Sequence, residues 1–471
     1  MSRRRQKPLF EDIEIVDLGA KAKAVGHAPD GRVIFAPFLA PGDVADIQVT
    51  KKRKAYYEGK AVTIKKYSGF RTEPACKYFG TCGGCKLQHI DYEAQLQFKQ
   101  KEVINNLTRL GHLTLPGAIN PIMPSPQIYN YRNKMEFSFS ARRWLTPEEI
   151  KEKETIDDMA GLGFHIAGMW DKVLDIDECH LQEEPSNQIR NAVKDFALKN
   201  NIPFFDPRAK TGLLRTLMIR NTSIGEWMVV LQVYQKDIES IEAVLSHLKN
   251  NFPQITSLQY IVNEKDNDSF YDQKVILYHG RDYIEEKWEN LTYRISAKSF
   301  FQTNSAQALR MYQKVREFAQ IQAHETVYDL YTGTGSIAQF VARDAHKVIG
   351  VEAVADAITD AKKNAALNGI TNTEFVVGDM KDVFTPDFIA KHGKADVVIT
   401  DPPRDGMHKK VVENLLFLAP QRIVYVSCNS ATQARDLALM KEAYDIVKMQ
   451  PVDMFPHTHH VENIVLLQKK S

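Results

Sequence analysis

The sequence predicts an α/β protein in which a doubly wound domain with a mostly parallel sheet follows two other modules. From about residue 291, strand-like and helix-like segments alternate, which is the pattern of such a domain. Before residue 69, five short strand-like runs are separated by turn residues, as in a small barrel. The segment between them mixes both patterns and begins with a cysteine cluster. We therefore expect three domains, at residues 1–68, 69–290 and 291–471.

The composition is that of an ordinary globular protein, with 44% hydrophobic and 25% charged residues in a chain of 471. We find no apolar run long enough to cross a bilayer and no apolar signal core after the basic amino terminus. A cytoplasmic protein without membrane contact is expected, with a monomer as the default. The net charge is only +2, but residues 1–72 carry 15 Lys and Arg against 8 Asp and Glu. This excess indicates a polyanionic partner, although charge alone fits a solvated surface equally well.

The amino-terminal module is predicted to be an OB-like β-barrel, a fold that commonly binds nucleic acid. Its strand-like runs lie at residues 13–16, 23–25, 33–35, 44–49 and 60–64. The tract Lys51–Tyr57 sets aromatic rings beside cations, a combination that stacks on bases and pairs with phosphates. A lone basic run is usually only solvated, but inside this barrel pattern it favours RNA contact.

The carboxyl-terminal domain has predicted strands at residues 326–330, 347–351, 374–377, 396–400, 422–427 and 464–468. Ligands of such sheets bind beyond the carboxyl ends of the strands. After the first strand, Gly333 and Gly335 allow the backbone to pass close to a nucleotide-like ligand. This turn is neither GxGxxG nor a phosphate loop, which favours a ligand without pyrophosphate. Glu352 ends the second strand, where it can accept hydrogen bonds from ribose hydroxyls, and Asp379 follows the third. Together these features predict S-adenosylmethionine.

The fourth strand ends in Asp401-Pro402-Pro403-Arg404. Methyltransferases that act on exocyclic amines have a similar segment but usually carry an aromatic residue after the two prolines. Because Arg404 stands there, amine methylation loses support.

The fifth strand ends at Cys428, which suits a different reaction. Carbon 5 of uracil is a poor nucleophile, and a thiolate that adds to C6 makes C5 enolate-like. Cys428 fits the nucleophile, Glu462 the base that removes the C5 proton, and Asp401 a group that holds the pyrimidine. A lone Cys is more often a buried apolar residue, and Glu462 beside three His also fits a metal site or a solvated loop.

Cys76, Cys82 and Cys85 are clustered, and Cys179 lies about a hundred residues further on. Four thiolates bind zinc or an iron–sulfur cluster equally well, and the number of ligands does not distinguish them. The spacing differs from the CxxxCxxC of radical enzymes, which argues against radical chemistry.

These segments, taken in order, resemble the RNA 5-methyluridine methyltransferases, in particular the 23S ribosomal RNA (uracil-5-)-methyltransferase branch with a TRAM domain and a four-iron cluster. The resemblance is carried by the cysteine cluster with Cys179, by residues 131–136, 299–304, 329–336 and 401–404, and by residues 427–429 and 457–462. It implies a Rossmann-like S-adenosylmethionine-dependent methyltransferase domain, an OB-like TRAM barrel, and a central α+β domain that holds the metal cluster.

The resemblance also implies roles for individual residues. Cys428 is similar to the family's nucleophile, Glu462 to its base, and Phe300 to an aromatic residue near the target base. The four cysteines are expected to bind [4Fe–4S], with a structural and RNA-positioning role. The residues similar to cofactor contacts are Gln302, Tyr331, Ser336, Glu352, Asp379 and Asp401, of which Ser336 and Asp379 stand where some relatives have Asn.

We expect C5 methylation of a uridine in 23S ribosomal RNA, with transfer RNA as the nearest alternative substrate. An assembly factor with a vestigial methyltransferase fold is the alternative of a different class. A target uridine must leave its stack to reach Cys428. The candidate phosphate contacts are Arg132, Lys134, Arg215 and Arg220, although each alone fits an ordinary paired charge.

Overall fold

A computed structural model describes residues 7–117, 119–152 and 159–471. The basic residues Arg3, Arg4 and Arg5 lie outside these ranges. Within these ranges, no helix is both long and apolar enough to cross a membrane.

Residues Leu9–Lys66 form a closed five-stranded barrel, which confirms the predicted barrel. Its strands are β1 Leu9–Gly19, β2 Lys23–His27, β3 Val33–Ala36, β4 Val44–Lys52 and β5 Tyr56–Lys66, with a 3₁₀ turn at Ala20–Ala22. Their order around the barrel is β1-β2-β3-β5-β4. Along β4 the side chains alternate between inside and outside, so that Ala45, Ile47 and Val49 lie in the barrel core.

A helix follows the cysteine segment in the sequence and packs against the carboxyl-terminal domain. It comprises α1, Tyr92–Asn105, and a π-helical turn at Asn106–Leu110. Val103 packs in a core formed mainly by the carboxyl-terminal domain. Lys99 forms an ion pair of 2.7 Å with Asp453, and neither side chain is more than 2% exposed. Helix α1 therefore fastens the middle of the chain to the carboxyl-terminal sheet.

The central region contains a seven-stranded sheet with helices packed against it. The elements are β6 Lys134–Ser140, α2 Pro147–Glu152, β7 Gly161–His165, β8 Val173–Asp175, α3 Ser186–Lys199, β9 Leu214–Asn221, β10 Trp227–Val233, α4 Ile238–Asn251, β11 Ile255–Val262 and β12 Val275–Gly280. The strand order is β12-β11-β10-β9-β6-β7-β8, and only β10 and β11 pair in parallel. Apolar side chains of α3 and α4 share one core with β6, β9 and β10.

A hairpin and a long helix lead into the carboxyl-terminal domain. They are β13 Tyr283–Trp288, β14 Leu291–Ser296 and α5 Ser305–Ala319. Trp288 is 2% exposed and donates a hydrogen bond of 2.8 Å from its indole N–H to Ser305 Oγ. The hairpin thereby packs onto α5 and joins the largest apolar core of the chain.

The carboxyl-terminal domain is the predicted doubly wound sheet. Its elements are β15 Thr326–Leu330, α6 Ser336–Ala342, β16 Lys347–Glu352, α7 Ala355–Leu367, β17 Thr373–Val377, α8 Met380–Val383, α9 Pro386–His392, β18 Val397–Thr400, α10 Lys409–Leu418, β19 Arg422–Ser427, α11 Ser430–Met440, β20 Tyr444–Val452 and β21 Glu462–Lys469. The strand order is β17-β16-β15-β18-β19-β21-β20.

The direction of β21 decides where the site forms. Strands β15 to β19 pair in parallel, so their carboxyl ends meet at one edge of the sheet. Strand β21 pairs with β19 in the antiparallel direction. Its first residue, Glu462, therefore lies at the same edge as the ends of the parallel strands.

Candidate active site

The turn after β15 has a backbone that requires glycine at residue 335. Gly333 and Gly335 have φ angles of +56° and +72°. A Cβ on Gly335 would lie 2.8 Å from the Phe375 ring and 2.9 Å from Ala361 Cβ. The turn thus presents bare backbone at the start of α6, next to the end of β16.

Two carboxylates stand at the ends of neighbouring strands beside this turn. Glu352 accepts hydrogen bonds from the N–H groups of Gly333, at 3.1 Å, and Val354, at 3.0 Å. Its orientation is fixed, and lone pairs remain for hydroxyl groups of a ligand. Asp379 caps α8 and is ion-paired with Lys381, which holds the pKa of this carboxyl below its usual value. The arrangement fits a ribose and an adenine placed across β16 and β17.

Tyr312 on α5 links two of the predicted cofactor residues. Its hydroxyl lies 2.9 Å from Ser336 Oγ and also hydrogen-bonds the Gln302 side chain. Asn133 donates to the backbone carbonyl of Gln302 at 3.0 Å, which ties this loop to the central sheet. The role of Tyr312 is not predictable from the sequence, because a Tyr on the apolar face of a helix gives no signal beyond core packing.

Cys428 and Glu462 are brought together by strand register. Ser427 of β19 pairs with Asn463 of β21, so the next residue of one strand lies beside the preceding residue of the other. Cys428 is partly exposed, whereas Glu462 is 7% exposed. Burial raises the pKa of Cys428 to about 12, and the negative charge of Glu462 contributes to this increase.

Asp401 lies between the cofactor turn and Cys428. Burial raises the pKa of Asp401 to about 7. Burial is also the main reason for the raised pKa of Asp329, to about 7, and of Glu462, to about 8, and the charge of Asp401 adds to both shifts. Arg404 has the opposite effect at the end of the row, because its guanidinium lowers the pKa of Cys428 and of Glu462. The site is therefore a row of acids with one cation beside the thiol.

Four cations from different parts of the chain surround the loop before Glu462. Burial lowers the pKa of His459 to about 4, and the charges of Arg404, Lys99, Lys86 and Lys21 lower it further. Lys21 belongs to the barrel and Lys86 to the cysteine segment. The backbone N–H groups of Lys86 and Leu87 both donate to the carbonyl of His457, at 2.7 and 2.9 Å. The barrel, the cysteine segment and the catalytic edge thus meet at one place.

The predicted RNA contacts differ in how available they are. Phe300 is 67% exposed, and its carbonyl accepts a hydrogen bond from Thr334 of the cofactor turn at 3.4 Å. The Arg132 guanidinium stacks over Phe455 at 5.7 Å from the ring centre. Lys134 is ion-paired with Glu136 at 2.7 Å and is mostly buried.

The predicted phosphate contacts at Arg215 and Arg220 are wrong. Both residues are at most 3% exposed. Arg215 pairs with Asp268 at 2.7 Å and donates to the carbonyls of Asn263 and Lys265. Arg220 donates to the carbonyls of Ser296 and Ser299 at 2.8 and 3.0 Å. They are structural cations, because burial with satisfied donors leaves nothing for a phosphate.

The four clustered cysteines line one cavity of about 980 Å³, which extends to Thr303 and Thr458 near the catalytic edge. Burial raises the pKa of Cys85 to about 12, and the neighbouring thiols Cys179, Cys82 and Cys76 raise it further. The four thiols are thus near one another. Among the described residues, however, no group of three or more His, Cys, Asp or Glu side chains is arranged to hold a metal ion.

Two known protein families match this chain, one at each end. Residues 219–470 match the model of the tRNA (uracil-5-)-methyltransferases, and residues 11–62 match the TRAM domain. The second match coincides with the five-stranded barrel.

Proteins that are similar along nearly the whole chain are also RNA methyltransferases. A protein of Porphyromonas gingivalis, described as an uncharacterized RNA methyltransferase, is 53% identical over 98% of this chain and 100% of its own. A protein of Bacteroides thetaiotaomicron with the same description is 49% identical over 96% and 100%. The crystal structure of a Pyrococcus abyssi tRNA (uracil-54, C5)-methyltransferase in complex with S-adenosyl-L-homocysteine is also similar. It has a TM-score of 0.73 and 28% identity, and covers 96% of this chain and 99% of that one. The chain belongs to the tRNA (uracil-5-)-methyltransferase family and is an S-adenosylmethionine-dependent RNA methyltransferase that acts on uracil C5.

Proposed function

We propose that this chain methylates C5 of a uridine in 23S ribosomal RNA, with Cys428 as covalent nucleophile and Glu462 as base. The observation that carries this proposal is the register of β19 and β21, which sets the thiol and the carboxyl side by side. A C5 methylation needs both groups on one pyrimidine.

Each of these residues has its own role in the proposed reaction. Cys428 loses its proton to solvent as its sulfur bonds to C6, and the C5=C6 electrons move to form an enolate. The electron pair at C5 would then form a bond to the methyl group that S-adenosylmethionine supplies, and the S–CH3 bond would break to leave S-adenosylhomocysteine. Glu462 then takes the proton from C5, its electron pair restores the C5=C6 bond, and the sulfur leaves C6 as a thiolate. Arg404 assists the first step, because its charge favours the thiolate form of Cys428.

The proposed cofactor site is built from the glycine turn and the strand ends. Glu352 holds the ribose, Asp379 borders the adenine, and Tyr331 packs beside the turn with a backbone φ of +64°. Gln302 and Ser336 are fixed by their shared partner Tyr312. Asp401 follows β18, which lies between β15 and β19 in the sheet, and this position suits contact with cofactor or pyrimidine.

The proposed RNA path follows the cations that surround His459. It runs from the TRAM barrel through Lys86 to Arg404, with Arg132 at its side. Phe300 is exposed beside the cofactor turn and offers a face on which a base stacks. Lys134 contributes only if its ion pair with Glu136 opens. The domain limits at residues 68 and 290 and a monomeric enzyme are parts of the same proposal.

The proposal includes a [4Fe–4S] cluster held by Cys76, Cys82, Cys85 and Cys179. All four line one cavity, which fits a bound group of some size. A zinc ion needs its sulfur ligands at about 2.3 Å from one point. Among the described residues no group of three or more possible ligands is arranged to hold a metal ion, so the choice of iron over zinc rests on the resemblance of the sequence segments. Anaerobic purification followed by iron, sulfide and zinc analysis tests this, and stoichiometric zinc without iron contradicts it.

Transfer RNA is the second candidate substrate, favoured by the similarity to the Pyrococcus abyssi enzyme along nearly the whole chain. The 23S assignment rests on the resemblance of the sequence segments to that branch. The deciding experiment incubates the protein with labelled S-adenosylmethionine and either unmodified 23S ribosomal RNA or unmodified transfer RNA. Label in 5-methyluridine of the 23S transcript supports the proposal. Label confined to transfer RNA shows that transfer RNA is the substrate and leaves the proposed reaction mechanism unchanged.

A further inference from the structure

A second cavity, of about 440 Å³, lies between the TRAM barrel and the cysteine segment, away from the groups assigned to catalysis. Aromatic rings dominate its wall. Phe38 comes from the barrel, Phe79 from the loop between Cys76 and Cys82, and Tyr67 from the segment after the barrel. Because nucleobases bind proteins mainly by stacking on such rings, this composition points to a base rather than to an aliphatic ligand.

Three of the rings on the wall of this cavity, called the slot below, pack against one another. Phe38 and Phe79 meet edge to face, with ring centres 5.4 Å apart and planes at 80°. The His89 ring lies 5.4 Å from Phe79 at an angle of 32°. Tyr67 also lines the cavity and is 67% exposed, so part of its ring surface is available to an incoming base.

The slot is held rigidly. Arg71, on its wall, pairs with Asp43 at 2.7 Å, and Asp43 is fully buried. Arg71 also donates to the carbonyl of Phe38 at 3.2 Å and lies 5.5 Å from the Tyr67 ring centre. Phe38 has a φ of +60°, a left-handed conformation that is costly for a bulky residue. Side chains that are already fixed lose little entropy when a ligand binds.

A buried histidine ring completes the site. His89 is 4% exposed and lines the cavity, and among the described residues its ring nitrogens make no hydrogen bond of good geometry, although the Leu39 backbone is close enough to act on the ring. An unsatisfied buried polar group is uncommon and costly. A neutral imidazole has one donor and one acceptor nitrogen, which match the edge of a base, although both nitrogens of His89 are buried here.

The charge around the cavity is mixed, with Arg71 and Glu73 on its wall and Lys86 close to it. The Lys86 ammonium lies 5.8 Å from the Phe38 ring centre, and the same Lys86 influences His459 at the catalytic edge. Lys86 is therefore a cation shared by the surroundings of the slot and of the catalytic edge. Phe79 also lines the cysteine cavity, so one ring separates the two.

We propose that this slot binds an unstacked nucleobase of the RNA substrate, distinct from the methylated uridine, stacked on Tyr67 and Phe79 with its edge toward His89. The proposal rests on RNA being the substrate, as proposed above. It gives the cysteine segment a specific task, since the loop that carries Phe79 forms one wall of a base-binding site.

The test compares Tyr67→Ala with Tyr67→Phe and with Tyr271→Ala, a matched Tyr that is 59% exposed and does not line the slot. Affinity for fluorescently labelled 23S ribosomal RNA and transfer RNA is measured by anisotropy at one fixed salt concentration. We expect Tyr67→Ala to weaken binding of the more tightly bound RNA about tenfold, in the range for one stacked base. Tyr67→Phe and Tyr271→Ala should bind like the unaltered protein.

Two outcomes overturn the slot. Equal affinity of Tyr67→Ala and Tyr271→Ala shows that no base stacks there, and an equal loss in Tyr67→Phe shows that the hydroxyl, not the ring, matters. Formation of the Cys428 adduct with 5-fluorouridine RNA is recorded for the same samples. If the affinities rule out the slot but the adduct still forms, the catalytic proposal stands. If the unaltered protein forms no adduct, the catalytic proposal is wrong, and the RNA affinities of the variants still test the slot.

Discussion

Cys428 and Glu462 lie on adjacent antiparallel strands at the carboxyl edge of the sheet, because Ser427 pairs with Asn463. A thiol and a carboxyl 34 positions apart in the sequence are thus brought together. In a purely parallel sheet the start of β21 would lie at the opposite edge. The antiparallel last strand is therefore what makes a nucleophile–base pair possible here.

Glu462→Gln should trap the reaction after methyl transfer. The amide cannot take the C5 proton, so the sulfur cannot leave C6. We expect turnover to fall about 10²- to 10⁴-fold, with a methylated protein–RNA adduct that accumulates on ordinary uridine RNA. Denaturing electrophoresis with labelled cofactor measures it. Near-normal turnover of this variant would show that another group is the base.

The rate should rise with pH through the titration of Glu462. Its pKa is raised to about 8, mainly by burial, so the basic form increases as pH rises from 6 to about 8. Arg404 lowers the pKa of both Glu462 and Cys428. Arg404→Gln should therefore move the midpoint of kcat/KM to higher pH. Lys409→Gln, an exposed change on α10, should leave it in place, and a midpoint of Arg404→Gln at lower pH contradicts the assignment.

Gly335→Ala should weaken S-adenosylmethionine binding. The new Cβ would meet Phe375 and Ala361 at under 3.0 Å in a residue with φ of +72°. Backbone strain and overpacking together cost about 2–4 kcal/mol. Gly369→Ala is the control, since its φ is +64° but nothing lies within 4 Å of its Cβ. Calorimetry and thermal unfolding should show loss of cofactor affinity only for Gly335→Ala.

Lys99→Met should destabilise the protein strongly. The change leaves Asp453 buried without its cation and removes a donor to the Phe455 carbonyl, 3.1 Å away. We expect the free energy of unfolding to fall by about 3–5 kcal/mol. Restoring neutrality with Lys99→Met/Asp453→Asn should recover part of the loss. A change within about 0.5 kcal/mol, as expected for an exposed lysine, contradicts the importance of this pair.

The parts of the fold with regular periodicity could be predicted from the sequence. The five barrel strands alternate in and out, and the parallel strands of the carboxyl-terminal sheet are continuous apolar runs, so both gave clear signals. Strand β20 was missed because it contains Lys448 and Pro451, residues that weaken a strand signal. Its position at the sheet edge explains them, since an edge strand tolerates charge and proline.

The site was predictable only where function leaves a local motif. Glycines, strand-end acids and the isolated Cys428 stand out in the sequence. Tyr312 does not, because its role depends on Gln302 and Ser336, which fold next to it from other segments. Arg215 and Arg220 were assigned wrongly for the converse reason. A sequence does not show that carbonyl groups distant along the chain already satisfy a guanidinium.

The most direct test of the central claim is trapping with 5-fluorouridine. The protein is incubated with S-adenosylmethionine and 5-fluorouridine-containing 23S ribosomal RNA or transfer RNA, then analysed by denaturing electrophoresis and mass spectrometry. Fluorine at C5 cannot leave as a proton, so we predict a methylated covalent adduct through Cys428 that is absent in Cys428→Ala. No adduct with either RNA, although the protein binds cofactor and RNA, would contradict the covalent mechanism.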